Sequence, residues 1–357
     1  MRICFYIDTL NGTGGTERLT ATLSNYLVSI GVNVYIISKR GGNKSFYQLD
    51  DRINIYSIYT DLDINIYKKY LTTIKIYRSI IAEIKPDFII NVGVNLCLET
   101  IPASLGKHSK IISWEHFNAK VYHNFYVNYL SKLLASKFSD KIVVLTDEDR
   151  IYYQQKFHAK RVLVISNPVP IDVGGHEYNS QSKCVLNIGR LTNQKGIDLL
   201  IKAWEIVNKK HPDWKLRIVG EGDQKEQLYQ QVNDLILSDS IEFVAPSLHV
   251  IDHFKEAALF VMSSRYEGLP LILIEAKCFG LPIVSFDCDT GPRQIIINKQ
   301  DGILIEPQNY IKLADAIIDL MGNVNLRINY SKMAIIDGKR FAPSIFYDNW
   351  KTLLGLN

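Results

Sequence analysis

Four charged residues in the second half of the sequence could together bind a phosphorylated ligand. The first two, Arg190 and Lys195, lie in a loop bounded by Gly189 and Gly196, which follows an apolar run of strand length. A guanidinium group can bind two phosphate oxygens at once and an ammonium group acts as a point charge, so the pair suits a diphosphate. Taken alone, a loop with two basic residues is more often solvated surface.

The other two residues, Glu267 and Glu275, are separated by seven positions. Pro270 is favourable in the first turn of a helix, so a helix is predicted to begin there and to carry Glu275. Because Glu275 stands in an apolar run, its carboxylate needs hydrogen-bond donors. Ribose hydroxyls could supply them, and the alternative is a structural carboxylate bonded to a buried amide.

A glycine-rich segment near the start could also approach a phosphate. Gly14, Gly15 and Thr16 follow the first apolar run and precede a helical pattern, so their backbone amides could face an anion at the helix N-terminus. The G-x-G-x-x-G dinucleotide fingerprint fails, because Glu17 stands at the third glycine position. No acid follows the second apolar run to hold a ribose. The segment therefore argues against a dehydrogenase and leaves a phosphate loop or a simple tight turn.

Strand-length apolar runs alternate with helical patterns in two successive series. The runs are continuous, which is typical of parallel strands buried on both faces. We predict an α/β protein with two Rossmann-like, doubly wound domains facing a cleft, at residues 1–166 and 167–340, and a helix in residues 341–357 that crosses back to the first domain. Ligands of such sheets bind at the carboxyl ends of the strands, where the candidate residues lie.

Together these motifs resemble glycosyltransferase family 4, whose members are retaining sugar transferases of the GT-B fold. The bacterial group that extends lipid-linked oligosaccharides for capsule, O-antigen or protein glycosylation is the most similar. The usual Glu-Gly-Phe-Gly of the family is replaced here by Glu-Gly-Leu-Pro at residues 267–270, a variant that occurs in that bacterial group. The matching residues are Gly14-Gly15-Thr16-Glu17, Trp114-Glu115-His116, Asn167-Pro168, Gly189-Arg190, Lys195-Gly196, Val219 to Gly222, Glu267 to Glu275 and Asp287 to Ile296.

The resemblance implies a role for each residue. Arg190 and Lys195 would neutralise the departing nucleotide diphosphate, Glu267 would hold the donor sugar near its 3-hydroxyl, and Glu275 would bind the ribose. His116 would reach the donor sugar from the first domain. These implied catalytic residues are His116, Glu267, Arg190 and Lys195, and the nucleotide-sugar site adds Gly14, Gly15, Thr16, Gly189, Gly222, Gly268, Leu269, Leu271 and Glu275. Fixed cations can stabilise the leaving group without a metal, so we expect metal-independent chemistry with no cofactor beyond a UDP-sugar co-substrate.

Charge and composition restrict the partners. Residues 1–170 carry 21 basic and 14 acidic side chains, which suits an anionic partner, although nucleic acid normally requires a stronger and clustered excess. Glu17, Lys120 and Lys132 are candidates for acceptor contacts. Two further segments could contact anionic lipid or a pyrophosphate, the predicted helix 67–85 and the basic, aromatic stretch 120–137. An amphipathic helix with a solvated flank is the alternative for the first.

The location follows from what the sequence lacks. Five scattered cysteines without a C-x-x-C motif suggest reduced thiols in the cytosol. No run in the given sequence has the pattern of a signal peptide or the length of a membrane-spanning helix, so we expect neither. We expect a cytoplasmic protein with peripheral contact at the cytoplasmic face of the inner membrane.

The resulting hypothesis is a retaining glycosyltransferase. It would move a hexose or N-acetylhexosamine from a UDP-sugar to a polyprenyl-pyrophosphate-linked saccharide and form an α-linkage. A GT-B sugar-nucleotide isomerase of the 2-epimerase type and a non-catalytic nucleotide-sugar-binding module remain as alternatives. The D-x-D spacing of Asp287 and Asp289, which binds manganese in other transferases, belongs here to the segment that contains Gly291-Pro292-Arg293.

Overall fold

The continuous apolar runs become the strands of two parallel β-sheets, one in each of two units of the chain. In the computed structural model, residues 1–12, 14–65, 68–120, 125–169, 177–246 and 250–356 are described. The first unit comprises Met1–Ser166 with Phe346–Asn357, and the second comprises Asn167–Ile345.

The first unit contains a sheet of seven parallel strands. The strands are β1 (Arg2–Ile7), β2 (Asn33–Ser38), β3 (Asn54–Ser57), β4 (Phe88–Val92), β5 (Lys110–Trp114), β6 (Lys141–Val144) and β7 (Val162–Val164). Their order across the sheet is β3-β2-β1-β4-β5-β6-β7. The connecting helices are α1 (Gly15–Ser29), α2 (Tyr70–Ile84), α3 (Cys97–Ser104), α4 (Phe125–Phe138) and α5 (Asp147–Phe157).

The second unit repeats this plan with six strands. They are β8 (Cys184–Ile188), β9 (Lys215–Val219), β10 (Ile241–Val244), β11 (Leu259–Met262), β12 (Ile283–Phe286) and β13 (Gly302–Ile305), in the order β10-β9-β8-β11-β12-β13. The helices are α6 (Ile197–Lys210), α7 (Lys225–Asp234), α8 (Val250–Glu256), α9 (Leu271–Cys278), α10 (Pro292–Ile295), α11 (Tyr310–Gly322) and α12 (Val324–Gly338).

The end of the chain returns to the first unit as helix α13 (Pro343–Leu354). Phe346, Trp350 and Leu354 are buried in the same hydrophobic cluster as the central strands of that unit. The rings of Trp350 and Trp114 meet edge to face with their centroids 4.9 Å apart. The first unit therefore depends on residues from both ends of the sequence.

Strand order explains where ligands can bind. Each sheet reverses its winding direction beside its first strand, between β1 and β4 in the first unit and between β8 and β11 in the second. At such a switch point the two loops leaving the carboxyl ends of the strands diverge and open a crevice. In the second unit these are the loops that carry Arg190, Lys195 and Glu267.

Helix α2 differs from its prediction at both ends, and it finishes at Ile84 with Lys85 as the C-cap residue. The predicted start at Tyr67 lies outside the described residues, and the helix of the structure begins at Tyr70. Tyr77 and Ile81 are buried, whereas Lys75 and Arg78 are exposed, so the helix has one packed and one solvated side. No helix in the described part of the chain is both long enough and apolar enough to cross a bilayer.

Candidate functional site

The central feature of the second unit is an ion pair between Lys195 and Glu267. Lys195 ends a short 3₁₀ turn after β8, and Glu267 lies in the loop after β11. The Lys195 Nζ atom is 2.6 Å from Glu267 Oε1, and only 7% of the Glu267 side chain is exposed. The two residues are far apart in the sequence, and they meet because β8 and β11 are neighbours in the sheet.

The two loops are joined by further contacts, which the sequence did not predict. Arg265 forms a bidentate ion pair with Asp198 in the first turn of α6, with distances of 2.9 and 2.7 Å. Its backbone amide donates to the carbonyl of Gln194 at 2.8 Å, and Ser263 Oγ donates to the carbonyl of Lys195 at 3.1 Å. These contacts fix the loops that carry the Lys195–Glu267 pair, and such preorganisation is what electrostatic catalysis requires.

Glycines permit the close approach of these loops. Gly196 has a φ of 61°, and a Cβ atom there would lie 2.1 Å from the carbonyl oxygen of Ser263. A Cβ atom on Gly222 would lie 2.3 Å from the carbonyl oxygen of Leu191. The sequence placed Gly222 at the nucleotide-sugar site, and the structure brings it against the loop that follows Gly189.

Arg190 and Glu275 differ in their surroundings. The side chain of Arg190 is exposed and has no ion-pair partner among the described residues, so its guanidinium is available to an anion. Glu275 is buried with 6% exposure on α9. That helix begins at Leu271 with Pro270 as its N-cap residue, one position later than predicted. Gly268 and Leu269 connect Glu267 to the start of this helix, so both glutamates belong to one short stretch of chain.

Two buried polar atoms near the ends of β8 and β11 have no hydrogen-bond partner among the described residues. They are Asn187 Oδ1, near the end of β8, and Ser264 Oγ, two residues beyond the end of β11. Buried polar atoms are nearly always hydrogen-bonded, so an unsatisfied pair beside a crevice points to a bound ligand or water. Both atoms flank the loops that carry Lys195 and Glu267.

The acidic D-x-D segment forms a structural contact. Asp287 makes a bidentate ion pair with Arg293 at 2.9 Å on both oxygens. Burial raises the pKa of Cys288 to about 12, so the thiol between the two aspartates stays protonated. Among the described residues, no group of three histidine, cysteine or acidic side chains is arranged to hold a metal ion.

In the first unit, His116 lies just beyond the carboxyl end of β5. Its ring is 4.3 Å from that of Trp114, and its Nε2 atom is buried without a partner among the described residues. Burial lowers the pKa of His116 to about 3, so the ring is neutral at pH 7. A neutral imidazole can exchange a hydrogen bond with a hydroxyl group, which suits a sugar better than a phosphate.

A buried carboxylate fixes the backbone around His116. Glu115 accepts hydrogen bonds from the amides of His116 and Phe117 and from the hydroxyl of Tyr153. Burial raises the pKa of Glu115, and the nearby Lys132 opposes this shift. The loop after β5 thus has a rigid base beneath an exposed surface.

The remaining candidates of the first unit lie at the start of α1 and around the loop after β5. Gly14 is the N-cap of α1, which begins at Gly15 and includes Thr16. The carboxylate of Glu17 turns back against Gly12 and Gly14, where a negative charge complements the positive end of the helix.

Lys132 has a different role from the predicted one. It is 4% exposed and donates to the carbonyl of Ala119 at 2.5 Å, so its side chain supports the loop after β5 instead of facing an acceptor. Lys120 is exposed at the end of that loop, next to residues 121–124, which lie outside the described residues.

Comparison with known proteins agrees with this architecture. Residues 13–173 match the family model described as Glycosyltransferase Family 4, and residues 172–336 match that of Glycosyl transferases group 1. An uncharacterized glycosyltransferase of Haemophilus influenzae is 33% identical over 353 residues, which are 99% of both chains. A Campylobacter jejuni protein is 27% identical over 99% of this chain and 98% of its own. It is named as the α-1,4-N-acetyl-D-galactosaminyltransferase acting on GalNAc-α-(1→4)-GalNAc-α-(1→3)-diNAcBac-PP-undecaprenol.

Solved structures show the same fold. Anabaena HepE in complex with UDP superposes with a TM-score of 0.83 at 17% identity, covering 99% of this chain and all of that one. Two parallel-sheet α/β domains of this kind define the GT-B class, which confirms the predicted fold. The chain belongs to glycosyltransferase family 4, and this membership favours sugar transfer over the isomerase and binding-module alternatives.

Proposed function

We propose that this glycosyltransferase is a retaining enzyme that uses a UDP-sugar and extends a polyprenyl-pyrophosphate-linked saccharide. The donor sugar is a hexose or N-acetylhexosamine, and the product carries an α-linkage. The names of the Campylobacter relative and of the UDP-bound Anabaena structure support the acceptor and the donor, respectively. The observation that carries the proposal is the Lys195–Glu267 ion pair, with Arg190 in the same loop as Lys195.

The proposed reaction exchanges one bond to the anomeric carbon for another. The bond from that carbon to the diphosphate oxygen breaks, and the acceptor hydroxyl oxygen bonds to the same face. The acceptor proton passes to the departing diphosphate oxygen, so UDP takes up this proton as it leaves and no protein nucleophile takes part. Arg190 and Lys195 stabilise the charge that develops on this oxygen, in the role that a metal ion plays elsewhere.

The other site residues bind the donor. Glu267 accepts a hydrogen bond from a sugar hydroxyl while Lys195 holds its other side, and Glu275 binds the ribose. Neutral His116 contacts the donor sugar from the first unit, and the amides of Gly15 and of the loop Gly268–Leu271 approach the diphosphate. On this proposal, the protein works in the cytoplasm and touches the inner membrane surface only peripherally, without binding nucleic acid.

A thermal-shift comparison of UDP, GDP and ADP, with magnesium and with EDTA, tests the donor assignment first. A nucleotide at 100 times its Kd stabilises the fold by about 2.7 kcal/mol. We expect UDP to give the largest shift, unchanged by EDTA. If none of the three nucleotides shifts the melting temperature, this result would contradict the proposed roles of Arg190, Lys195 and Glu275.

Transfer itself is tested with labelled UDP-sugars and a synthetic polyprenyl-pyrophosphate disaccharide. The anomeric proton coupling of the product, measured by NMR, reports the linkage. A β-linked product from an α-linked donor would overturn retention, and extension of free saccharides alone would overturn the lipid-linked acceptor.

A further inference from the structure

A buried lysine outside the proposed site occupies the middle of an ionic network. Lys277 lies on α9 two residues after Glu275, and its side chain is completely inaccessible to solvent. Its Nζ atom donates to Asp301 at 2.8 Å, to Asp337, and to the main-chain carbonyl of Ile295. An ammonium group has three N–H donors, so every donor of Lys277 is used.

A second cation binds the same end of α10. Arg340 donates to the carbonyls of Gln294 and Ile295 at 2.6 and 3.2 Å, and to the Asp337 carboxylate at 2.9 Å. Helix α10 has only four residues, a length that does not form a stable helix by itself. These two cations therefore help to fix its position relative to α9, together with the burial of Pro292 and Ile295.

The opposite end of the α10 segment contacts the loop that carries Glu267. Thr290 Oγ1 donates to the main-chain carbonyl of Glu267 at 2.8 Å. Gly291 has a φ of 94°, and a Cβ atom there would lie 2.2 Å from the carbonyl oxygen of Gly268. The segment that contains Thr290 and Gly291 therefore lies in close contact with the main chain of Glu267 and Gly268, so a shift of one should move the other.

We infer that Lys277 is a positioning residue for Glu267 and acts through the segment 290–295. This inference rests on the proposed function for the role of Glu267. Lys195 holds the carboxylate of Glu267, whereas Thr290 holds its main chain, and Lys277 anchors the segment to which Thr290 belongs. Loss of this anchor loosens α10, which Arg340 still binds, and misaligns Glu267.

The test removes the anchor without leaving an unpaired buried charge. In the double variant Lys277→Met/Asp301→Asn the ammonium and one carboxylate disappear together. Arg327→Met is the control, because Arg327 is also buried and binds the carbonyls of Leu320 and Met321 at the end of α11, away from the Glu267 loop.

Both variants should lower Tm, but their kinetics should differ. At a temperature where both are folded, the Lys277 variant should lose about 10- to 100-fold in kcat, because a misplacement of about 1 Å can cost that much. Its KM for the donor should stay within about threefold, and the Arg327 variant should keep its kcat. A kcat loss of the same size in both variants would mean that Lys277 only stabilises the fold and does not position Glu267.

Thr290→Val tests the connection and provides a second variant should the first not fold. A further variant combines Thr290→Val with the Lys277 and Asp301 changes. If Lys277 acts through Thr290, its loss in kcat should be no greater than the larger loss of the two separate variants, because both sets of changes break one linkage. Losses that multiply, or a Thr290→Val enzyme with full kcat, would refute the inference.

Hydrogen exchange measures the same linkage without turnover. The amides of residues 266–269 should exchange faster in the Lys277 variant and at the wild-type rate in the Arg327 variant. Equal exchange in the two variants would also refute the inference. A wild-type enzyme that transfers no sugar would overturn the proposed function alone, because the exchange experiment would still decide the role of Lys277.

Discussion

The carboxyl edges of the two sheets are organised differently. In the second unit two candidate residues, Lys195 and Glu267, pair with each other, and the pair of Arg265 with Asp198 joins the same loops. In the first unit His116 has a buried nitrogen without a partner among the described residues, and its support comes from Glu115 behind it.

The difference matches the tasks proposed for the two units. A nucleotide diphosphate is the same in every turnover. A rigid set of charges stabilises its developing negative charge effectively, because preorganised groups need not rearrange as the bond breaks. A saccharide presents neutral hydroxyls and varies between enzymes of one fold. An open edge on a fixed base allows such variation without loss of the supporting structure.

The largest expected effect comes from breaking the ion pair in the second unit. Lys195→Ala and Glu267→Ala should each reduce transfer about 10³-fold, as loss of an electrostatic stabiliser does in other enzymes. Both proteins should remain folded by circular dichroism. Lys183→Ala, which breaks an exposed pair with Asp213, is the control and should keep full activity. Full activity in either site variant would contradict the site assignment.

A smaller effect is expected in the first unit, from loss of the hydrogen bond that supports Glu115 behind the loop after β5. Tyr153→Phe removes one hydrogen bond from the buried Glu115 carboxylate, which should lower the free energy of unfolding by about 1–3 kcal/mol. Urea unfolding measures this loss, with Tyr56→Phe as the control, because Tyr56 makes a longer, exposed contact with Glu83. Equal stability of the two variants would mean that Glu115 does not need this donor.

These two regions also show how far the sequence predicts the structure. The alternation of apolar runs and helical patterns predicted two doubly wound domains, and the family resemblance implied the GT-B fold. Residue types and glycine spacing indicated the loops that carry Arg190, Lys195 and Glu267. The pairing of Lys195 with Glu267 depends on which strands are neighbours in the sheet, and local sequence patterns do not predict strand order. Likewise, Lys132 lies in an ordinary amphipathic helix, and only tertiary packing shows that its ammonium is buried against Ala119.

The pH dependence of stability separates His116 from its acidic neighbours. The pKa of His116 is about 3 in the folded protein and about 6.5 in the unfolded chain. Between these values only the unfolded chain binds the proton, so the contribution of His116 to stability falls by up to about 1.4 kcal/mol per pH unit as the pH decreases below 6.5.

Comparison with His116→Gln isolates this contribution, because the raised pKa values of Glu115 and Asp149 act in both proteins. Chemical unfolding at pH 7, 6 and 5 should show the wild type losing more stability than the variant at each step. Parallel curves would indicate a solvated imidazole with an ordinary pKa, and the first unit's edge would then be more open than the structure shows.

The smallest effect is expected from Lys120, an exposed residue at the carboxyl edge of the sheet in the first unit. Lys120 and Lys107 are both exposed, but Lys120 follows β5 at the carboxyl edge, whereas Lys107 precedes the strand at the opposite edge. If the acceptor pyrophosphate lies near the carboxyl edge, Lys120→Ala should raise the acceptor KM about fivefold, since one lysine beside an anionic group contributes about 1 kcal/mol. The increase should shrink at 0.5 M salt, because screening weakens exposed charges. Lys107→Ala should leave KM unchanged, and an equal rise in both variants would mean that the general basic charge of the unit, and not its carboxyl edge, attracts the acceptor.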